Sequence, residues 1–167
     1  IRHATQAFAE VIKAEGESAC ARGIAICFDC RINSERFAHE AASVMAANGI
    51  HVRIFDALRP TPELSFAVKH YGTTAGLNIT ASHNPKEYNG YKIYDETGCQ
   101  LCPDQANKVI GYVNAIEDLK AVPHMNLEEA AKKGLYQPIG AEVLDAFLKE
   151  VKKQSLYEEP SDIKIVY

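Results

Sequence analysis

Three short, β-rich apolar runs, separated by segments of helical period, constrain this chain more than any other feature. Gly23-Ile24-Ala25-Ile26-Cys27-Phe28, Ile50 to Phe55 and Gly76 to Thr80 have the length and composition of buried strands. Between the first two, Phe37, Ala41, Val44 and Met45 recur on one helical face, with Ser34 in the N-cap position and Asn48-Gly49 closing the helix. Between the second and third, Pro60-Thr61-Pro62 offers a capping threonine with proline at the first helical position, starting a short helix that runs to about Tyr71. Strand, helix, strand, helix, strand predicts right-handed crossovers and a parallel sheet with helices packed on it.

The flanking segments complete the layout. Ala4, Phe8, Val11 and Ile12 have helical spacing, followed by a loop between Gly16 and Gly23. Tyr91 to Tyr94 forms a fourth strand, reached by a connection too short for a parallel crossover, so it runs antiparallel to the third. Asp104 to about Leu119 reads as a helix, Asn126-Leu127-Glu128-Glu129 as a capping box, and Ala141 to Lys153 as an amphipathic helix. The expected fold is therefore α/β, a three-layer α/β/α domain on a mixed sheet of about four main strands, three parallel and the last antiparallel. It occupies residues 1–157. Glu158-Glu159-Pro160-Ser161 reads as a linker, and Ile163 to Tyr167 as a strand with nothing after it to pair or cover it, the sign of a truncated unit.

Composition excludes several classes. With 167 residues, 47% of them hydrophobic, the chain buries one core of its own. A formal charge of −4 with no basic run argues against a nucleic-acid partner. No stretch approaches the roughly 20 apolar residues that cross a bilayer, and the first residues lack a signal-peptide core, so a soluble cytoplasmic protein is expected. Five cysteines, an odd number, fit a reducing compartment. Cys27-x-x-Cys30 and Cys99-x-x-Cys102 have the spacing of a four-thiolate zinc site, but Cys27 lies in a strand, where residues three apart face opposite ways. Small buried or half-buried thiols are the preferred reading. His3, His39, His51, His70 and His124 show no metal-ligand spacing and are assigned to structure or surface.

Ligands of parallel sheets gather beyond the carboxyl ends of the strands. Asp29 and Arg31 follow the first run, Thr61 the second, and Ser82, His83 and Asn84 the third; Lys92 returns toward the same edge. Asn84-Pro85 holds a turn and Asn89-Gly90 supplies positive-φ positions, so that Ser82 is presented rather than buried. A serine hydroxyl needs a base to become a nucleophile, and a phosphorylated serine needs cations to become a donor; His83 and Lys92 could serve. Asp29 and Thr61 are assigned to structure.

Thr80-Ala81-Ser82-His83-Asn84-Pro85 with Asn89-Gly90-Tyr91-Lys92 resembles the active-site segment of the α-D-phosphohexomutases, the phosphoglucomutase/phosphomannomutase family. Asp29-Cys30-Arg31 with Ser34 is similar to that family's Asp-x-Arg...Ser segment and Pro60-Thr61-Pro62 to its Pro-Thr-Pro turn, so the resemblance covers about 24 to 103. It implies the family's domain I and an intramolecular phosphotransferase, an isomerase of hexose 1-phosphate and hexose 6-phosphate. Ser82 would carry the phosphate, and a hexose 1,6-bisphosphate would be both intermediate and activator. It further implies His83 as acid/base or phosphate ligand, Lys92 against the reacting phosphate, Asn84 as a phosphate-binding residue and Mg2+ on a phosphoserine oxygen of Ser82; Arg31, at the mouth of the site, either binds the phosphate or pairs with Asp29. The family's metal aspartates, sugar-reading loop and distal-phosphate site belong to domains II, III and IV. None of their motifs occurs in this sequence, although residues 163–167 resemble the first strand of domain II, and the loop that precedes the family's first helix would fall before Ile1. A fragment of little activity is expected, from a parent acting on glucose or mannose phosphates; a phosphopentomutase of the same family or a non-catalytic sugar-phosphate binding module are the alternatives.

Overall fold

A computed structural model describes residues 1–118, 120–156, 162–164 and 166. Strands β1 (Ile24–Phe28), β2 (Val52–Phe55) and β3 (Ala75–Ile79) form where the apolar runs predict them, and β4 (Tyr91–Tyr94) follows the serine loop. A fifth strand, β5 (Tyr136–Ile139), joins them, giving the order β4-β3-β1-β2-β5 with only β4 antiparallel. Little in its residues announces β5. It is four residues long and contains Pro138, a residue that sheets accept at an edge, which is where β5 lies.

Helices cover both faces. α1 (Arg2–Ala14), α3 (Ser34–Ala47) and α5 (Pro103–Ala115) pack with Ile24, Ile26, Leu77 and Ile79 in the larger core. α4 (Thr61–Tyr71) and α7 (Ala141–Lys153) pack on the other face over Ala25, Cys27, Phe55 and Ile139. Alternate strand residues thus enter opposite cores, as the period of two requires. Two short helices complete the set: α2 (Glu17–Arg22), in the segment expected as a loop between Gly16 and Gly23, and α6 (Leu127–Lys132), where Asn126 Oδ1 accepts the Glu128 N–H, a simple N-cap in place of the expected capping box.

Several local expectations shift. Ser34 is the first residue of α3 and Asn33 its N-cap, in a left-handed conformation at φ 65°. Thr61 opens α4, with Pro60 as N-cap. Helix α5 ends at Ala115, short of the expected Leu119, which lies outside the described residues. The linker expected at 158–161 also lies outside them, as do 165 and 167. Ile163, Lys164 and Val166 belong to no strand.

Candidate active site

The ends of β1 and β3 place two loops side by side, residues 29–34 and 81–90. Ile32 N–H donates to Lys86 O at 3.3 Å, and Asn89 Nδ2 to Ile32 O at 2.9 Å. At the base of the second loop, Thr80 N–H donates to Gly90 O, and a Cβ on Gly90 would come within 2.5 Å of Thr80 O. Gly90 is needed for this close approach. The positive-φ conformation expected at Asn89-Gly90 is instead taken by Ser82, at φ 60°, one of two such non-glycine residues among those described. Side chains with a Cβ seldom adopt it.

Asp29 is the hub beneath Ser82. Its Oδ2 accepts from Thr80 Oγ1 at 2.6 Å and Arg31 Nε at 2.9 Å, and its Oδ1 from Ser34 Oγ at 2.8 Å and the Arg31 N–H at 3.0 Å. Thr80 Oγ1 accepts in turn from the Ser82 N–H at 3.1 Å. Burial by itself would raise the Asp29 carboxyl, but the donors from Thr80, Arg31 and Ser34 outweigh it and hold it below the usual carboxylate range.

The residues singled out from the sequence divide into three groups. Ser82 is exposed, and its Oγ lies 3.3 Å from His83 Nδ1. Asn84 is exposed too, with its backbone closing a turn to Ala81 O and its side chain making no hydrogen bond to described residues. Lys92 is half-buried and stands opposite Asn78 in the β3–β4 register, and its ammonium has neither an ion pair nor a hydrogen bond among the described residues. Arg31 differs: its side chain is 8% exposed, and its guanidinium donates to Asp29 Oδ2 and to the carbonyls of Ser82, Asn84 (2.6 Å), Pro85 (2.8 Å) and Tyr88 (3.4 Å). Thr61 Oγ1 accepts from Asn78 Nδ2, which agrees with a structural assignment.

Thr80, named in the motif but given no role from the sequence, links the Asp29 carboxylate to the Ser82 amide. The signal was a β-branched hydroxyl residue two positions before the serine at a strand end. Cys27 Sγ donates to Arg59 O, and burial, reinforced by the charges of Glu63 and Asp29, pushes this thiol up to about 12. Cys20 is half-buried, whereas Cys30, Cys99 and Cys102 are exposed, against the buried or half-buried thiols expected. Among the described residues no three His, Cys, Asp or Glu side chains form a group able to hold a metal ion, and no helix is long and apolar enough to cross a membrane.

Comparison with known proteins adds lineage to this geometry. The family model for phosphoglucomutase/phosphomannomutase, α/β/α domain I, matches residues 1–120. A phosphoglucomutase of Staphylococcus saprophyticus is 41% identical over 143 residues, covering 86% of this chain and 26% of that protein. One of Staphylococcus aureus is 37% identical over 145 residues, with the same coverage. The chain therefore spans about a quarter of the length of the curated relatives it matches. A solved structure from Thermus thermophilus, described as a phosphomannomutase, superposes with TM-score 0.74 at 26% identity, over 91% of this chain and 31% of that one. A family protein from Burkholderia thailandensis shares the fold at TM-score 0.67 and 20% identity, over 92% and 31%.

Proposed function

This chain belongs to the phosphoglucomutase/phosphomannomutase family, and on that footing we propose that it is the phosphoserine-bearing domain of a longer hexose phosphate mutase, with Ser82 as the phosphate carrier. One observation carries the reading: an exposed serine, held in a rare backbone conformation by hydrogen bonds to its own amide and carbonyl, with a histidine nitrogen 3.3 Å from its hydroxyl. Loop serines that merely cap a turn do not call for such a scaffold.

In the proposed reaction a sugar hydroxyl of hexose 1-phosphate attacks the phosphorus on Ser82. The bond from Oγ to phosphorus breaks as the new P–O bond forms, giving a hexose 1,6-bisphosphate. His83, whose Nδ1 lies 3.3 Å from Ser82 Oγ, would return a proton to the departing Ser82 oxygen. Lys92 offsets phosphoryl charge and is the candidate acceptor of the hydroxyl proton. The bisphosphate then turns over, and its other phosphate passes to Ser82 by the reverse of these steps, leaving hexose 6-phosphate. The rate gain comes from positioning and charge neutralisation. Asn84, whose side-chain amide has no partner among the described residues, is the proposed phosphate contact.

Magnesium would supply further neutralisation of a transferring phosphate. The donor set of this chain does not form its cage: no three-ligand group exists among the described residues, and both Asp29 oxygens are engaged by hydrogen-bond donors. A phosphate oxygen on Ser82 is the ligand this domain would contribute, with the aspartate ligands proposed to come from domain II. The same division of labour predicts little turnover by residues 1–167 alone. Glucose and mannose phosphates are the proposed substrates, since Tyr91 precedes the lysine of the Asn89-Gly90-Tyr91-Lys92 segment, and the cytoplasm, where such metabolites occur, is the proposed location.

Incubation with glucose 1,6-bisphosphate followed by intact-mass and peptide analysis tests the assignment. The mutase carrying this domain gains one phosphoryl group on Ser82, and Ser82→Ala gains none. Tight sugar-phosphate binding without any phosphorylated Ser82 would show a binding module instead.

A further inference from the structure

Resting on the phosphoserine reading, we propose that Arg31 is a positioning residue for phosphoryl transfer: it sets the peptide planes of the serine loop and turns the His83 N–H outward as a phosphate donor, rather than binding the sugar phosphate itself. Five oxygens of this chain accept from the one guanidinium, four of them carbonyls spread over Ser82 to Tyr88. Only the planar fork of arginine reaches that many acceptors from a single buried point.

The peptide bond is planar and trans, so its C=O and N–H point opposite ways. With the Ser82 carbonyl directed at Arg31, the His83 N–H is directed away from it, and this N–H has no partner among the described residues. The Pro85 carbonyl is drawn to the same guanidinium, and the Lys86 N–H across that peptide is likewise without a partner. Carbonyls, which would repel a phosphoryl dianion, are thus gathered on the buried side of the loop, and two unengaged amides are left on the other. Asp29 anchors the arrangement from both ends: it fixes Arg31 through Nε and, through Thr80 Oγ1, the amide of Ser82 itself. Ser82 is consequently held at φ 60° by ties to both its N–H and its C=O.

The test compares Arg31→Ala and Arg31→Lys with wild type in the mutase that carries this domain. Arg31→Ala is expected to lower kcat on the order of 100-fold with KM for hexose 1-phosphate little changed, the signature of a lost transition-state geometry. Arg31→Lys, which keeps a charge but cannot bridge the carbonyls, is expected to behave alike, and added methylguanidinium to restore part of the Arg31→Ala rate. Hydrogen exchange at 82–89 is expected to quicken in both variants while the strands stay protected. A raised KM with unchanged kcat would make Arg31 a direct phosphate ligand and overturn the proposal, as would unchanged kcat and KM. Should the variants not fold, the wild-type protein still decides: slow solvent exchange of the Arg31 guanidinium protons, unaltered when Ser82 is phosphorylated, supports the proposal, and fast exchange or a large shift on phosphorylation defeats it. Absence of phosphate on wild-type Ser82 would instead defeat the underlying assignment.

Discussion

Two arginine–carboxylate pairs stand at the same end of the sheet and behave in opposite ways. Asp29 and Arg31 meet at 2.9 Å, with the Asp29 side chain 25% exposed; Glu63 and Arg59 meet at 3.4 Å, with the Glu63 side chain only 6% exposed. Asp29 receives four donors and is pulled below the ordinary carboxylate range. Glu63 is pushed above it, because burial outweighs the favourable charge of Arg59. Its Oε2 and Arg59 Nε are buried without a hydrogen bond, while Arg59 also reaches Asp56 at 3.2 Å. Proximity of opposite charges is therefore not what keeps an acid ionised here. Directed donors do that, and they are concentrated under the serine.

The hardest blow to this contrast is Asp29→Asn, which leaves the Arg31 charge without its partner and puts an amide donor where donors already converge. It should destabilise the domain by about 3 kcal/mol in urea unfolding. Thr80→Val removes one donor to Asp29 and the acceptor of the Ser82 amide. A loss of about 1.5 kcal/mol is expected, with a rise in the Asp29 carboxyl pKa followed by NMR titration. Glu63→Gln sharpens the contrast from the other side and should gain about 1 kcal/mol at pH 7, measured in the same unfolding assay. The signs with pH also oppose. The Asp29 contribution is complete above the unfolded carboxylate value near pH 4 and is lost as pH falls through its lower folded value. For Glu63, stability is greatest below about pH 4 and declines as pH rises through its raised folded value, so the gain from Glu63→Gln should vanish in acid. A gain that persists at pH 3 would show that Glu63 is not burdened by its charge.

Much of this was legible in the sequence because it depends on local pattern. The apolar runs at 23–28, 50–55 and 76–80 become β1, β2 and β3 with ends shifted by one or two residues, and the short return after Gly90 makes β4 antiparallel. What escaped depends on tertiary partners. β5 has no alternation of its own and exists as a strand because β2 offers an unpaired edge; α2 is six residues long and shows no period. Ser34 has the chemistry of a cap, but Asp29 lies within reach of its hydroxyl and takes it. The juxtaposition of Asp29, Ser82 and His83 follows from strand order. The destination of Arg31 does not, because its acceptors are backbone carbonyls, whose directions no side-chain code specifies.

Strand β5 has a consequence for how the domain comes into being. The family match ends at residue 120, whereas β5 and α7 lie beyond it and contribute Ile139 and Val143 to the core under α4. During synthesis, β1 to β4 and the serine loop would leave the ribosome with β2 as a bare edge and the α4 face half covered. The nascent chain must wait for residues 136–153 before that side is sealed, a long-range pairing of the kind that slows folding and invites strand-mediated association. A cut placed at the end of the family match would therefore yield an aggregating piece, and one placed after α7 a unit whose sheet is complete.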